Sequence, residues 1–185
     1  MVDKYYRIKR EHPEYFSKKG LATEVFTISG DLVYTSNGAL YCNRDKFMEN
    51  PGLVEELKYK ILGYGTLRSG DYNFERMQGY FGEESIKKIG EVTLPNFKMY
   101  DLGHYPTIIA TVEPDNQVVF DILEVNHPCY NFIVQMERGA GYQEIQVNVD
   151  GYGDCYVYIY LKDFINDKTP VIKSGDWFKH KQIEV

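Results

Sequence analysis

Lys60-Ile61-Leu62-Gly63-Tyr64-Gly65-Thr66-Leu67-Arg68-Ser69-Gly70 carries a short apolar run into a glycine-bearing turn and out into a polar segment. The run has the length and composition of a buried strand. Glycines in the turn that follows free the backbone to aim several N–H groups at one point, the arrangement that holds an anion. Two nucleotide-binding readings fail on the residues themselves. A Walker A loop requires lysine and then serine or threonine after its second glycine. Here Gly65 and Gly70 have the right interval but are followed by Asp71 and Tyr72. A dinucleotide fingerprint requires a third glycine where Arg68 stands.

Downstream of the turn, residues 71–80 form a weakly periodic helical segment, and β-prone runs follow at 89–94, 97–101, 107–112 and 118–125. Residues 130–138 read as a helix with Phe132, Ile133 and Met136 on one face and Glu137 near its end. Strands are expected at 142–149 and 152–161. In the second, Cys155, Val157, Ile159 and Leu161 alternate with Tyr156, Tyr158 and Tyr160, giving an aliphatic face and an aromatic one. Many strands, few helices and no regular βαβ alternation point to an α+β sheet or barrel, not a doubly wound fold.

Upstream, the chain reads differently. A polar start through Lys19 precedes short β-prone runs at 24–30, 31–38 and 39–42, divided by Ser29-Gly30 and Asn37-Gly38, the latter a strong hairpin signal. Asn50-Pro51 supplies a helix cap and a first-turn proline, with Leu53, Val54 and Leu57 as an apolar stripe, which predicts a short helix ending near Lys58. The expected organisation is an N-terminal β-rich extension over 1–58, with a hairpin and a short helix, and a mixed domain over 59–185.

A chain of 185 residues buries a sufficient core without covalent staples. Its net charge of −6, with basic residues clustered only around Arg7 to Arg10 and Lys18-Lys19, opposes a nucleic-acid partner. No apolar run approaches the roughly 18 residues that cross a bilayer, and the start lacks a signal-peptide h-region, so no membrane and a cytoplasmic location are expected. Three cysteines without a CxxC and four scattered histidines suggest neither a disulfide framework nor a zinc site; His127-Pro128-Cys129 reads as structural. The 17 tyrosines exceed what a core alone needs and suit pocket walls.

The heptad Tyr64 to Gly70 is followed, in order, by Gly103-His104-Tyr105-Pro106, the run 118–125, Glu137, Gly141-Tyr142, Val157-Tyr158 and Ser174-Gly175-Asp176-Trp177. This ordered set resembles the gamma-glutamylcyclotransferase family, which includes the gamma-glutamylamine cyclotransferases. The resemblance implies a small mixed-sheet β-barrel with flanking helices and one pocket. It implies that the loop of Tyr64, Gly65, Thr66 and Leu67 holds a substrate carboxylate, that Glu137 is the acid/base, and that Tyr105, Tyr142 and Tyr158 wall the pocket. The implied reaction turns a gamma-glutamyl amine, amide or peptide into 5-oxoproline and a free amine, without metal or organic cofactor. The alternative is a non-catalytic binding or regulatory protein that takes a small anionic ligand in the same pocket. Glu124 and Glu144 are rival carboxylates, which strand alternation assigns to outward or supporting positions. Val134 and Gln143 stand where the family commonly has aspartate and arginine.

Overall fold

The computed structural model describes residues 4–8, 25–29, 31–35, 40–49, 54–160 and 165–183, and the chain divides into two compact units, 1–58 and 59–185. The first unit is built from β1 (Lys4–Ile8), β2 (Phe26–Ser29), β3 (Leu32–Tyr34), β4 (Leu40–Asn43), α1 (Arg44–Met48) and β5 (Val54–Glu56). Its strands form one sheet in the order β4-β3-β2-β1-β5, with antiparallel pairings throughout. Phe26 and Val33 are fully buried, with Tyr6, Ile28 and Phe47 packed against them, the Phe26 and Phe47 rings 5.2 Å apart.

One expectation is corrected here. The short helix predicted to end near Lys58 is replaced over Val54–Glu56 by β5, which pairs with β1 through Tyr6↔Glu56, Arg7↔Glu55 and Ile8↔Val54. Residues 50–53, the predicted cap, and the Asn37-Gly38 turn lie outside the described residues. An isolated helix this short is unstable in water, whereas pairing with β1 satisfies the same backbone groups between chain segments. Arg7 Nε also donates to Glu55 Oε1 across the pair, at 2.5 Å. Neither β1 nor α1 was legible locally, since exposed Lys4 and Arg7 mask the alternation of β1.

The second unit begins one residue into β6 (Lys58–Gly63) and continues through α2 (Tyr72–Phe81), β7 (Ile86–Pro95), β8 (Phe97–Asp101), β9 (Pro106–Ala110), β10 (Gln117–Asn126), α3 (His127–Gly139), β11 (Gln143–Val149), β12 (Gly153–Ile159) and α4 (Trp177–Ile183). Five strands form a mixed sheet in the order β11-β12-β6-β10-β7, with β12 parallel to β6 and the β7–β10 and β11–β12 pairs antiparallel. Central β6 is buried from Ile61 through Gly63, as its unbroken apolar run requires of a strand covered on both faces. The ladder is open. The β8–β9 hairpin lies against its two sides: Tyr160 N, just beyond β12, donates to Ile108 O at 2.9 Å, and Phe97 N donates to Asn116 O, just ahead of β10, at 3.4 Å. The result is the α+β mixed-sheet architecture with flanking helices, curled like a barrel without one continuous ladder.

The helices begin where their caps dictate. Asp71 accepts from Tyr72 N at the start of α2, and Asn126 accepts from Cys129 N at the start of α3, with Pro128 in its first turn. Helix α3 buries Cys129 and Ile133 against the sheet, and burying a side chain the size of Ile133 stabilises by about 2 kcal/mol. Trp177 is buried in the same core and anchors α4. Among the described residues no helix is long and apolar enough to cross a membrane.

Candidate active site

At the end of β6 the chain turns through Tyr64, Gly65, Thr66 and Leu67 along one wall of a cavity of about 410 Å³. The turn is held from within and from α2. Arg68 N donates to Gly65 O at 2.8 Å; Asn73 N and Phe74 N donate to Thr66 O at 2.9 and 3.1 Å; Asn73 Nδ2 donates to Thr66 Oγ1 at 2.8 Å. Gly65 is required by close approach, because a Cβ there would sit 2.6 Å from Pro106 Cγ. The amides of Gly65, Thr66 and Leu67 find no acceptor among the described residues. All three residues line the cavity, where such amides are available as donors to a ligand.

Behind the turn, Arg68 is buried at 4% exposure and held by three carboxylates. Its Nη1 donates to Asp176 Oδ1 at 2.8 Å, its Nη2 to Asp121 Oδ1 and Glu91 Oε2 at 3.2 Å each, and its guanidinium lies 4.4 Å from the Phe178 ring centroid. Asp121 also accepts from Ser69 N at 2.8 Å and pairs with Lys88, while Asp176 accepts from Phe178 N at the start of α4. One guanidinium thus fastens the turn to β10, β7 and α4.

Opposite, Glu137 lies in the last turn of α3, where its carbonyl accepts from Ala140 N and Tyr142 N at 3.1 and 3.0 Å. Its part-buried side chain lines the cavity, and no hydrogen bond to its carboxylate exists among the described residues. Burial pushes its pKa up to about 7. An unpaired carboxyl group with a pKa near neutrality in a cleft is a candidate for proton transfer.

The tyrosines divide by what their hydroxyls do. Tyr64 is buried and donates to Tyr158 O at 2.9 Å; Tyr158 donates to Glu144 Oε2 at 2.8 Å; Tyr142 makes a long contact to Pro106 O at 3.5 Å. With the protons of Tyr64 and Tyr158 committed, those two phenols offer only lone pairs to a ligand. Burial, named first among the causes, pushes all three well above the ordinary phenol value, so the protons stay in place. Tyr105 is 46% exposed and stands at the rim. The cavity therefore has a donor wall, the turn amides, and an acceptor wall, Glu137 with the phenolic oxygens. That polarity suits a ligand bearing a carboxylate and an ammonium group.

All eight residues singled out in the sequence line this one cavity. Glu124 and Glu144 do not. Glu144 accepts from Tyr130 and Tyr158, a supporting position. His127 Nδ1 meets Tyr59 Oη at 2.9 Å and its Nε2 meets Asn131 Nδ2 at 3.0 Å. Val134 packs partly buried against the core, and Gln143 is exposed. Sequence reasoning missed Asn73, which secures the turn, and the Arg68–Asp121–Asp176 cluster. The one available signal was Asp121, a lone charge inside the apolar run from Val118 to Val125.

Comparison with known proteins bears on the same stretch. A family model described as "Gamma-glutamyl cyclotransferase, AIG2-like" matches residues 61–179. The Escherichia coli K12 "Gamma-glutamylcyclotransferase family protein YtfP" is 25% identical over 119 residues, covering 64% of this chain and 95% of that protein. Among solved structures, a Pyrococcus horikoshii protein superposes with a TM-score of 0.55 at 21% identity, over 68% of this chain and 95% of the other. The solution structure of Escherichia coli ytfP gives 0.51 at 22% identity, over 66% and 98%. The structural likenesses speak to fold alone. The family model, spanning most of the chain, goes further: this protein belongs to the AIG2-like gamma-glutamyl cyclotransferase family.

Proposed function

We propose that the protein is a cyclotransferase that converts a gamma-glutamyl amine, amide or peptide into 5-oxoproline and a free amine. The observation that carries this reading is the unpaired Glu137 carboxyl, with its pKa raised to about 7, in one cavity with the unsatisfied amides of Gly65, Thr66 and Leu67. The amides hold the substrate's α-carboxylate, and Glu137 faces its α-ammonium. An ammonium has no lone pair to attack with, so Glu137 first takes a proton from it. The freed amine attacks the side-chain carbonyl carbon, a C–N bond forms, and the carbonyl oxygen gains negative charge. Glu137 returns its proton to the leaving nitrogen as the original C–N bond breaks, then takes the second proton from the ring nitrogen to leave the neutral lactam and passes it to the freed amine, which departs as an ammonium. Both half-reactions use one group, and a pKa near neutrality serves donor and acceptor alike.

Tyr105, Tyr142 and Tyr158 wall the reacting centre and limit the substrate's motion, which keeps amine and carbonyl within attacking distance. The test is mass-spectrometric detection of 5-oxoproline after incubating wild type and Glu137→Gln with gamma-glutamyl amines, gamma-glutamyl dipeptides and glutathione. Product from the wild type alone is expected, and the co-product identifies the leaving group. Full activity in Glu137→Gln removes its role. Ligand binding without product from either protein replaces the enzyme with a binding protein.

A further inference from the structure

Glu144 sits on β11 directly opposite Tyr158 on β12, so the two side chains share one face of the sheet. A single oxygen, Glu144 Oε2, accepts the phenolic protons of Tyr158 at 2.8 Å and of Tyr130 at 3.0 Å. Tyr130 belongs to α3, and Glu137 follows it by two helical turns on the same helix face, about 10 Å along the axis. Tyr130 is itself fixed by stacking on Tyr59 of β6, with ring centroids 3.9 Å apart and planes 4° from parallel. One carboxylate therefore joins the helix stripe that carries Glu137 to the strand that carries the cavity-lining Tyr158.

We propose that Glu144 is a positioning residue for the reaction, a clamp that sets α3 against β12 and so fixes the separation of Glu137 and Tyr158. It also sets the sense of the Tyr158 hydroxyl. With its only proton donated to Glu144, that hydroxyl turns a lone pair toward the cavity and accepts from the ligand's ammonium beside Glu137. Hydrogen bonds to a charged acceptor are strong enough to hold both phenols in this sense. The inference rests on the cyclotransferase reading for its catalytic consequence, while the clamp itself follows from the three side chains.

The test uses wild type, Glu144→Gln, Glu144→Ala, Tyr158→Phe and the Glu144→Ala/Tyr158→Phe double variant. Each is assayed for kcat and KM with L-gamma-glutamyl-butylamide and, separately, for L-glutamine affinity by calorimetry. Glu144→Ala is expected to lose about tenfold or more in kcat/KM, the loss of a charged hydrogen bond. Glu144→Gln, whose amide oxygen can accept the same two protons, is expected within about threefold of wild type, because the geometry persists. The double variant is expected to lose no more than the worse single variant, the mark of two residues acting as one unit. Additive losses, or Glu144→Gln as impaired as Glu144→Ala, overturn the proposal. If the wild type binds L-glutamine but forms no product, the reaction falls, and the same coupled pattern in glutamine affinity sustains the clamp while uniform affinity overturns it. Neither product nor glutamine binding in the wild type overturns both.

Discussion

Arg68 and Glu137 are two sequestered charges on opposite sides of one loop, and they are treated in opposite ways. Arg68 is held by Asp121, Asp176 and Glu91 and stacked near Phe178, so every charge in its neighbourhood has an answer within the protein. The Glu137 carboxyl group has no hydrogen-bond partner among the described residues, and burial raises its pKa to about 7. A buried charge that is fully paired serves the geometry of the fold; one left unpaired in a cavity is held ready for a ligand. The two are linked in structure, since the Arg68 cluster secures a turn that lines the same cavity as Glu137.

The sharpest way to break this contrast is to neutralise the unpaired charge. Glu137→Gln is expected to lower kcat about 10³-fold while the protein remains folded, measured as initial rates of 5-oxoproline release beside circular dichroism. Neutralising the paired charge should do the reverse. Arg68→Met leaves Asp121 and Asp176 without their main counterion and is expected to destabilise by about 3 kcal/mol in urea unfolding; an unchanged midpoint would mean that the cluster does not hold the turn.

The pH dependence of stability sharpens the comparison further. Below the ordinary Glu value of 4.5, Glu137 is protonated folded and unfolded alike, and it costs nothing. As pH rises from 4.5 to about 7, the unfolded chain releases this proton while the folded chain keeps it, so folding loses stability, and above 7 the loss is complete. Glu137→Gln should therefore match wild type near pH 4.5 and exceed it by about 2 kcal/mol at pH 8, a figure discounted for the water that reaches the cavity. Melting temperatures at the two pH values decide it; a constant offset would refute the burial of an unpaired carboxyl.

The smallest effect belongs to a charge that is paired but exposed. Arg7 and Glu55 meet across β1 and β5 with side chains 45% and 37% exposed. Glu55→Ala should cost less than about 0.5 kcal/mol, again by urea unfolding, because solvent screens the pair.

How much of this was legible beforehand differs between the two units. In the second, periodicity located every strand, because long runs such as Val118 to Val125 fall inside β10, and the cavity residues were found because their order along the chain resembled a known family. In the first, Asn50-Pro51 and the apolar residues after it pointed to a helix, yet Val54–Glu56 pairs with β1. Local pattern reports what a segment would do alone; a three-residue strand is decided by its neighbour. The Arg68 cluster was hidden for a related reason, since its members lie in four separate stretches of sequence.

The sequence by itself determined the chemistry available: a glycine-bearing turn without the residues of a Walker A loop or a dinucleotide fingerprint, a carboxyl group near a helix end, and an abundance of tyrosine. These are properties of residue type, order and period. Only the tertiary structure decided which of them meet, that Glu137 is unpaired while Arg68 is held by three carboxylates, and that Glu144 is tied to two phenols. Burial and pairing arise from contacts between segments far apart in the chain, such as β11 with α3 or the turn with α4, and it is burial that raises the Glu137 pKa toward neutrality.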